Sequence, residues 1–241
     1  MDTARQLSTL ANDALASAPH SFFSTSISPT SGFHTESTVF IQHAPSAIPT
    51  NHCLFILYIL PSAFFFDPYE LEQRRQDGDL PPFKVWGETN LELPLEAVDQ
   101  EGSALLLSLS PDVPSLASVK VPLHVRYMPS VGSNDASMLA LRVPWPSVFW
   151  VPYKNNCDVS DNINSLNLRN ETPVIAVRPS NNEGDLFHTT TVPTANSSYL
   201  PIVEYGTFFG VLLAFIYVYI SLRAISRRVN GTARARKRKA A

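Results

Sequence analysis

Val119-Lys-Val-Pro-Leu-His-Val-Arg-Tyr127 alternates apolar and polar side chains without a break. Successive side chains of a strand point to opposite faces. Val119, Val121, Leu123, Val125 and Tyr127 are therefore predicted to face a core, with Lys120, Pro122, His124 and Arg126 on the other side. This is the pattern of a half-buried antiparallel strand, and Pro122, which has no N–H to donate, favours an edge.

Other candidate strands lie at short spacing on either side: Thr38–Ile41, Leu91–Leu95, Ala104–Leu109, Met138–Val143, Val148–Val151, Pro173–Val177 and Thr189–Val192. Turn signals separate them at Asp77-Gly78, Glu101-Gly102, Val131–Asp135 and Asn181–Gly184. The apolar run Cys53–Phe66 is broken by Pro61 and ends at Asp67-Pro68, so it reads as a buried strand and bend, too short to span a bilayer. Twenty prolines against nine glycines exclude long helices from most of the chain. The exception is Asp67–Gln76, where Asp67 is placed to cap a short helix, Pro68 to occupy its first position and Glu70 to support its first turn. The expected fold is mainly β, an antiparallel β-sandwich-like domain followed by one C-terminal transmembrane helix.

That helix is read from Tyr205–Leu222, which carries no charge and reaches about 27 Å as a helix. Leu200–Val203 extend it past Glu204, and Tyr199 and Tyr205 suit an interface. Eight of the 18 basic residues follow Leu222, and no acid follows Glu204. The ten basic residues before the span face 21 acidic ones, an asymmetry that the net charge of -3 hides. The positive-inside rule then puts the tail in the cytosol and the body across the membrane. Lys237 and Lys239 match a K-x-K-x-x retrieval signal, which implies the endoplasmic reticulum. A basic tail also binds anionic lipid or nucleic acid in other settings, but its place beside a span favours membrane lipid. The expected division is a Ser/Thr-rich, partly disordered segment over 1–36, a lumenal β-rich domain over 37–199, the span over 200–222 and the basic tail over 223–241. Met1–Ser31 shows no basic stretch followed by an apolar core, so no cleavable signal peptide is expected there.

The chemistry on offer is sparse. Cys53 and Cys157 either pair in an oxidising lumen or lie as two buried thiols. Asn170-Glu-Thr and Asn196-Ser-Ser are sequons on the lumenal side, while Asn230-Gly-Thr falls in the tail. Asp77-Gly-Asp79 has the form of a metal–sugar-nucleotide D-x-D but reads first as a solvated turn. The six histidines, His34 and His124 among them, are scattered without metal-ligand spacing, and no nucleophile elbow, phosphate loop or dinucleotide fingerprint is present. No cofactor, metal site or catalytic residue is expected.

Two motifs carry a family resemblance. Leu60-Pro-Ser-Ala-Phe-Phe-Phe-Asp-Pro-Tyr-Glu-Leu71 resembles the "LP…F.DPYEL" element of PIG-X and its fungal Pbn1-type relatives. Pro122-Leu-His-Val-Arg-Tyr-Met-Pro129 resembles their "P.H.RY..P" element. Val192-Pro193, a short spacer, one span and a basic tail follow the same layout, so the resemblance covers about Cys53 to Leu222. It implies a non-catalytic accessory subunit of glycosylphosphatidylinositol mannosyltransferase I in the endoplasmic reticulum, stabilising a multi-span PIG-M-type catalytic partner. It also singles out Asp67, Pro68, Tyr69, Glu70, His124, Arg126 and Tyr127 as motif or interface residues. Arg126 is expected to meet solvent on the strand's second face, to hold Asp67 or Glu70 as a bidentate pair, or to face the partner. A membrane-anchored lumenal chaperone of wider range is the alternative, and an enzyme acting through Asp77 and Asp79 is a third reading.

Overall fold

Seven of the nine residues of the strand at His52–Leu60 are buried, on both of its faces, and its neighbours in the sheet are buried with it. A strand of that kind reads as a continuous apolar run, which is why Cys53–Leu60 shows no alternation. The computed structural model describes residues 16–44, 49, 51–98, 101–109, 115–130, 138–152, 157, 174–180 and 185–239, with positions 2, 4–6 and 9. The β domain holds strands β1 (Ala16–Ser28), β2 (His34–His43), β3 (His52–Leu60), β4 (Phe64–Phe65), β5 (Phe83–Gly87), β6 (Ser103–Leu109), β7 (Leu116–Val125), β8 (Met138–Pro144), β9 (Ser147–Pro152), β10 (Ile175–Pro179) and β11 (Phe187–Pro193), with helix α1 (Pro68–Gln76) between β4 and β5.

Nine strands form one sheet in the order β4-β7-β2-β1-β10-β9-β3-β6-β5, and β8 pairs with β11 in a second, two-stranded sheet. All neighbours in the large sheet run antiparallel except β1 and β10. β4 and β6 are seven places apart in that order, about 34 Å in a flat sheet. Yet the Ser103 hydroxyl on β6 donates to the Phe64 carbonyl on β4 at 3.2 Å. Ser37 of β2 and Tyr58 of β3, four places apart, share a 3.1 Å hydrogen bond. The sheet is therefore curled so that its β4-β7-β2 end faces its β3-β6 end. The two layers expected of a sandwich are joined by hydrogen bonds into one curled sheet.

The space inside the curl is the main core. Val39 and Ile41 of β2 and Val119, Val121, Leu123 and Val125 of β7 meet Leu54, Ile56 and Tyr58 of β3 and Leu105 and Leu107 of β6. Val143 and Val192 of the small sheet join the same cluster. On the other face of β3, β6 and β9 lies a second cluster: Cys53, Phe55, Leu57, Ala104, Leu106, Phe149, Val151 and Val174, with Ala4 buried against it. Cys53 in that cluster is bonded to Cys157 across 104 residues of sequence. Gly102 precedes β6 with φ 72°, and a Cβ there would lie 2.0 Å from the Leu60 carbonyl oxygen, so only glycine fits the turn.

Several expectations are corrected. The sheet begins before residue 37, because β1 occupies Ala16–Ser28 and β2 starts at His34. β1 carries Ser and Thr on both faces, Ser21 and Thr25 being buried in it, so composition alone made it look like a tail. Leu91–Leu95 is not a strand: the stretch is turn and 3-10 helix. Tyr127 falls outside the apolar stripe, for β7 ends at Val125 and Tyr127 is 69% exposed. Pro122 does sit at a nearly free edge, since beyond β7 only the two residues of β4 pair, with Val125 and His124. The turns at 131–135 and 181–184 lie outside the described residues.

The C-terminal unit is helical. It contains helix α2 (Leu200–Lys239); the first part of this helix, taken with the 3-10 turn at Ser197–Tyr199 that leads into it, makes Ser197–Arg227, among the described residues, the one stretch long and apolar enough to cross a membrane. Its apolar side chains from Leu200 to Ile225 are unburied. The helix does not stop at Arg223 but runs on through the basic tail, where Arg, Ala and Lys are good helix formers.

Ile56 is fully buried inside the curl. Replacing it with alanine is expected to lower the unfolding free energy by about 2–5 kcal/mol. Leu116→Ala, at the exposed start of β7, should stay within about 0.5 kcal/mol of the parent. Urea unfolding of the full chain in detergent, followed by tryptophan fluorescence, checks both.

Candidate functional site

α1 starts as its sequence requires. The Asp67 carboxylate accepts the Tyr69 N–H at 2.8 Å, and Pro68 fills the first turn, where its missing N–H is no loss. Glu70 follows in that turn, where a carboxylate is favoured by the helix dipole. Leu71 is the residue that the helix buries. The helix ends at Asp77-Gly78-Asp79: the Asp77 N–H reaches the Gln73 carbonyl and the Asp79 N–H the Arg74 carbonyl, and Gly78 takes φ 83°. The D-x-D is thus the turn that closes a helix.

α1 is moored to β7 and β2 by its charged face. One oxygen of Glu70, Oε1, accepts from Arg74 Nη2 at 2.9 Å and Nε at 3.2 Å. The other, Oε2, lies 2.8 Å from His124 Nε2 and 3.4 Å from His34 Nε2. His34 and His124 are direct cross-strand partners on β2 and β7, with ring centroids 4.5 Å apart. Arg74 also donates to Glu36 Oε2 at 2.8 Å, and Lys120 Nζ lies 3.4 Å from Glu36 Oε1. Partial burial alone would raise the Glu70 pKa, but hydrogen bonds from His124 and Arg74 outweigh it and hold the carboxyl below its ordinary value. The Arg74 hydrogen bond does the same for Glu36 against a smaller cost of burial, aided by Lys120.

Arg126 sits just past the end of β7 and is only 2% exposed. Its partners are neither Asp67 nor Glu70, and it does not face outward. Nη1 donates to the carbonyls of Asn90 at 2.6 Å and Leu93 at 3.0 Å, and Nη2 to that of Glu88 at 2.9 Å. The guanidinium lies 4.4 Å from the centroid of the Phe65 ring, which also stacks on His124 at 5.2 Å. The Arg126 N–H reaches the Ala63 carbonyl, and the Leu95 N–H reaches the Tyr127 carbonyl. Burial pulls the Arg126 pKa below the usual arginine value, and the charge of Glu88 opposes that shift. In the stretch 91–95 the Leu93 carbonyl is turned onto this guanidinium and the Leu95 N–H onto the Tyr127 carbonyl, so these groups do not pair in a strand ladder.

The motif residues therefore divide by role. Asp67 and Pro68 start the helix, Glu70 and His124 meet across 54 residues of sequence, and Arg126 is a buried anchor. Tyr69 and Tyr127 are left at the surface, 81% and 69% exposed. Sequence reading missed His34, Glu36, Phe65 and Arg74. Only Arg74 left a local signal, its i,i+4 spacing from Glu70. It also missed that His34, Glu70 and His124 bring three ligand-type atoms within 4.8 Å of one another, the one such grouping among the described residues. Asn196 caps the short turn before α2, its side-chain oxygen accepting the Ser198 N–H at 2.9 Å. Asn170 lies outside the described residues, and Lys237 and Lys239 are described only as helical backbone.

A family model described as PIG-X / PBN1 matches residues 30–223. The chain is 28% identical over 243 aligned residues to Protein pbn1 of Emericella nidulans, covering 85% of this chain and 44% of that protein. It is 33% identical over 143 residues to Protein PBN1 of Yarrowia lipolytica, covering 50% and 26%. To Protein pbn1 of Schizosaccharomyces pombe it is 25% identical over 193 residues, covering 72% and 52%. The chain thus spans between about a quarter and a half of the length of these relatives.

Arg126→Ala should lower the unfolding free energy by at least about 2 kcal/mol, because three carbonyls lose their donor. Arg126→Lys should recover little of it, since a point-like ammonium cannot reproduce the planar fork. Denaturant midpoints of the parent chain and the two variants test this ordering.

Proposed function

The chain belongs to the PIG-X / PBN1 family, and from that membership we propose that it is a non-catalytic, stabilising subunit of the glycosylphosphatidylinositol mannosyltransferase I complex in the endoplasmic reticulum. In this reading it supports a multi-span PIG-M-type subunit that transfers the first mannose to the anchor precursor. The observation that carries the proposal is the assembly of the two family motifs. The Asp-Pro-Tyr-Glu-Leu element and the His-Val-Arg-Tyr element are distant in sequence but form one clasp, in which Glu70 meets His124 and β4 pairs with the end of β7. Most of their polar groups are spent on holding the domain in shape, which suits a scaffold. Tyr69 and Tyr127 are what the clasp offers outward, and exposed tyrosines serve well as contact residues.

The α2 helix supports anchoring in the bilayer, since about twenty apolar residues with no buried face need lipid or another helix around them. The same surface is where a multi-span partner would pack. The basic end of α2 is then cytosolic, with Lys237 and Lys239 available to a retrieval receptor, and the β domain is lumenal, where the Cys53–Cys157 bond is at home. Membrane lipid and the catalytic subunit are its partners.

Affinity purification of the tagged chain in mild detergent is expected to recover one multi-span protein in equal amount. Many sub-stoichiometric proteins would instead favour the wider chaperone reading. For orientation, protease added to sealed microsomes should remove a tag placed after Ala241 and spare one placed before residue 16; the reverse result would invert the topology.

A further inference from the structure

Two imidazoles and a carboxylate converge where α1 crosses the β2–β7 pair. His34 and His124 lie directly opposite each other in register, and antiparallel partners on one face hold their Cβ atoms about 5 Å apart. Glu70 comes down from the first turn of α1, with Oε2 2.8 Å from His124 Nε2 and 3.4 Å from His34 Nε2. Around a four-coordinate cation with bonds of about 2.0–2.1 Å, ligand atoms stand about 3.3 Å apart. The two measured separations bracket that value, and all three ligand atoms lie within 4.8 Å of one another. We propose that His34, Glu70 and His124 bind a divalent transition-metal ion of the zinc class, with water in the fourth position.

The ligand set selects the metal. Imidazole nitrogen suits zinc and its first-row neighbours, whereas calcium and magnesium take oxygen ligands. The surroundings are those of ligands held from outside. Arg74 occupies Oε1 of Glu70 and leaves Oε2 turned toward the histidines. The Phe65 ring stacks on His124 and fixes its plane. Such outer contacts orient metal ligands and are part of their affinity. A plain structural clasp needs only Glu70 and His124. It does not call for a third ligand-type side chain at 3.4 Å, and His34, with 56% of its side chain exposed, is not held there by burial. A cation would tie α1, β2 and β7 together at one point.

The full chain, purified in detergent and stripped with a chelator, is titrated with Co²⁺ and then with Zn²⁺. One Co²⁺ per chain should give the visible absorption of a four-coordinate site, and Zn²⁺ should abolish it. Zn²⁺ should also raise the melting temperature. His34→Ala should weaken binding by roughly 100-fold or more while leaving metal-free melting unchanged, because His34 is exposed. Glu70→Gln should also lose the spectrum. Absence of Co²⁺ and Zn²⁺ uptake at micromolar concentration would overturn the proposal. So would an unchanged spectrum and stoichiometry in His34→Ala, which would place the metal elsewhere on the chain.

Discussion

A guanidinium withdrawn from water must find acceptors inside the protein, and Arg126 finds three in the carbonyls of Glu88, Asn90 and Leu93. That requirement shapes everything near it. The loop after β5 must fold back to present its carbonyls, which removes it from the sheet. The bend at Pro61–Ala63 must come close enough for the Ala63 carbonyl to meet the Arg126 N–H. The Phe65 ring must lie beside the charge, which sets β4 against the end of β7 and so places the start of α1. Arginine serves here because it stays charged when buried and because its planar fork reaches several acceptors at once.

The curl of the sheet is the second constraint, and it explains why the motif elements meet. Burying β3 on both faces requires one layer inside the curl and another outside. The inner layer is supplied by β2 and β7, brought opposite β3 and β6 when the sheet rolls. Rolling carries β4 from one end of the strand order to within a hydrogen bond of β6. α1, which follows β4 directly, is then seated beside β7 and β2, where Glu70 finds His124. The disulfide at Cys53 pins the outer cluster from the same strand.

Family membership and structure bear on each other at this clasp. Shared motifs are often taken for contact surfaces, but here Arg126 and Leu71 are buried and Asp67 and Pro68 only start a helix. What the motif pair shares is an internal joint between a helix, a strand end and a loop. For a protein proposed to stabilise a membrane partner, a stiff joint is useful. It holds exposed side chains such as Tyr69 in a fixed place, so that little ordering entropy is lost on docking.

Local rules were enough for part of this molecule. The alternation of Val119–Val125 identified β7 and its buried face. Asp67 and Pro68 identified the start of α1, and the uncharged run to Leu222 identified the apolar helix. Each of these depends on residues within one turn or one pleat of one another, so period and capping chemistry can be read along the chain. The strand at Ala16–Ser28 could not be read that way, because its place in the sheet comes from its neighbours β2 and β10 and not from its own composition. Nor could the partners of Arg126, the exposure of Tyr127, the choice between paired and free cysteines, or the meeting of His34, Glu70 and His124. These depend on how the sheet rolls, which sums many weak contacts between segments distant in sequence. A one-dimensional pattern holds the parity of a strand's faces, whereas the distance between side chains on different strands exists only once the chain has folded.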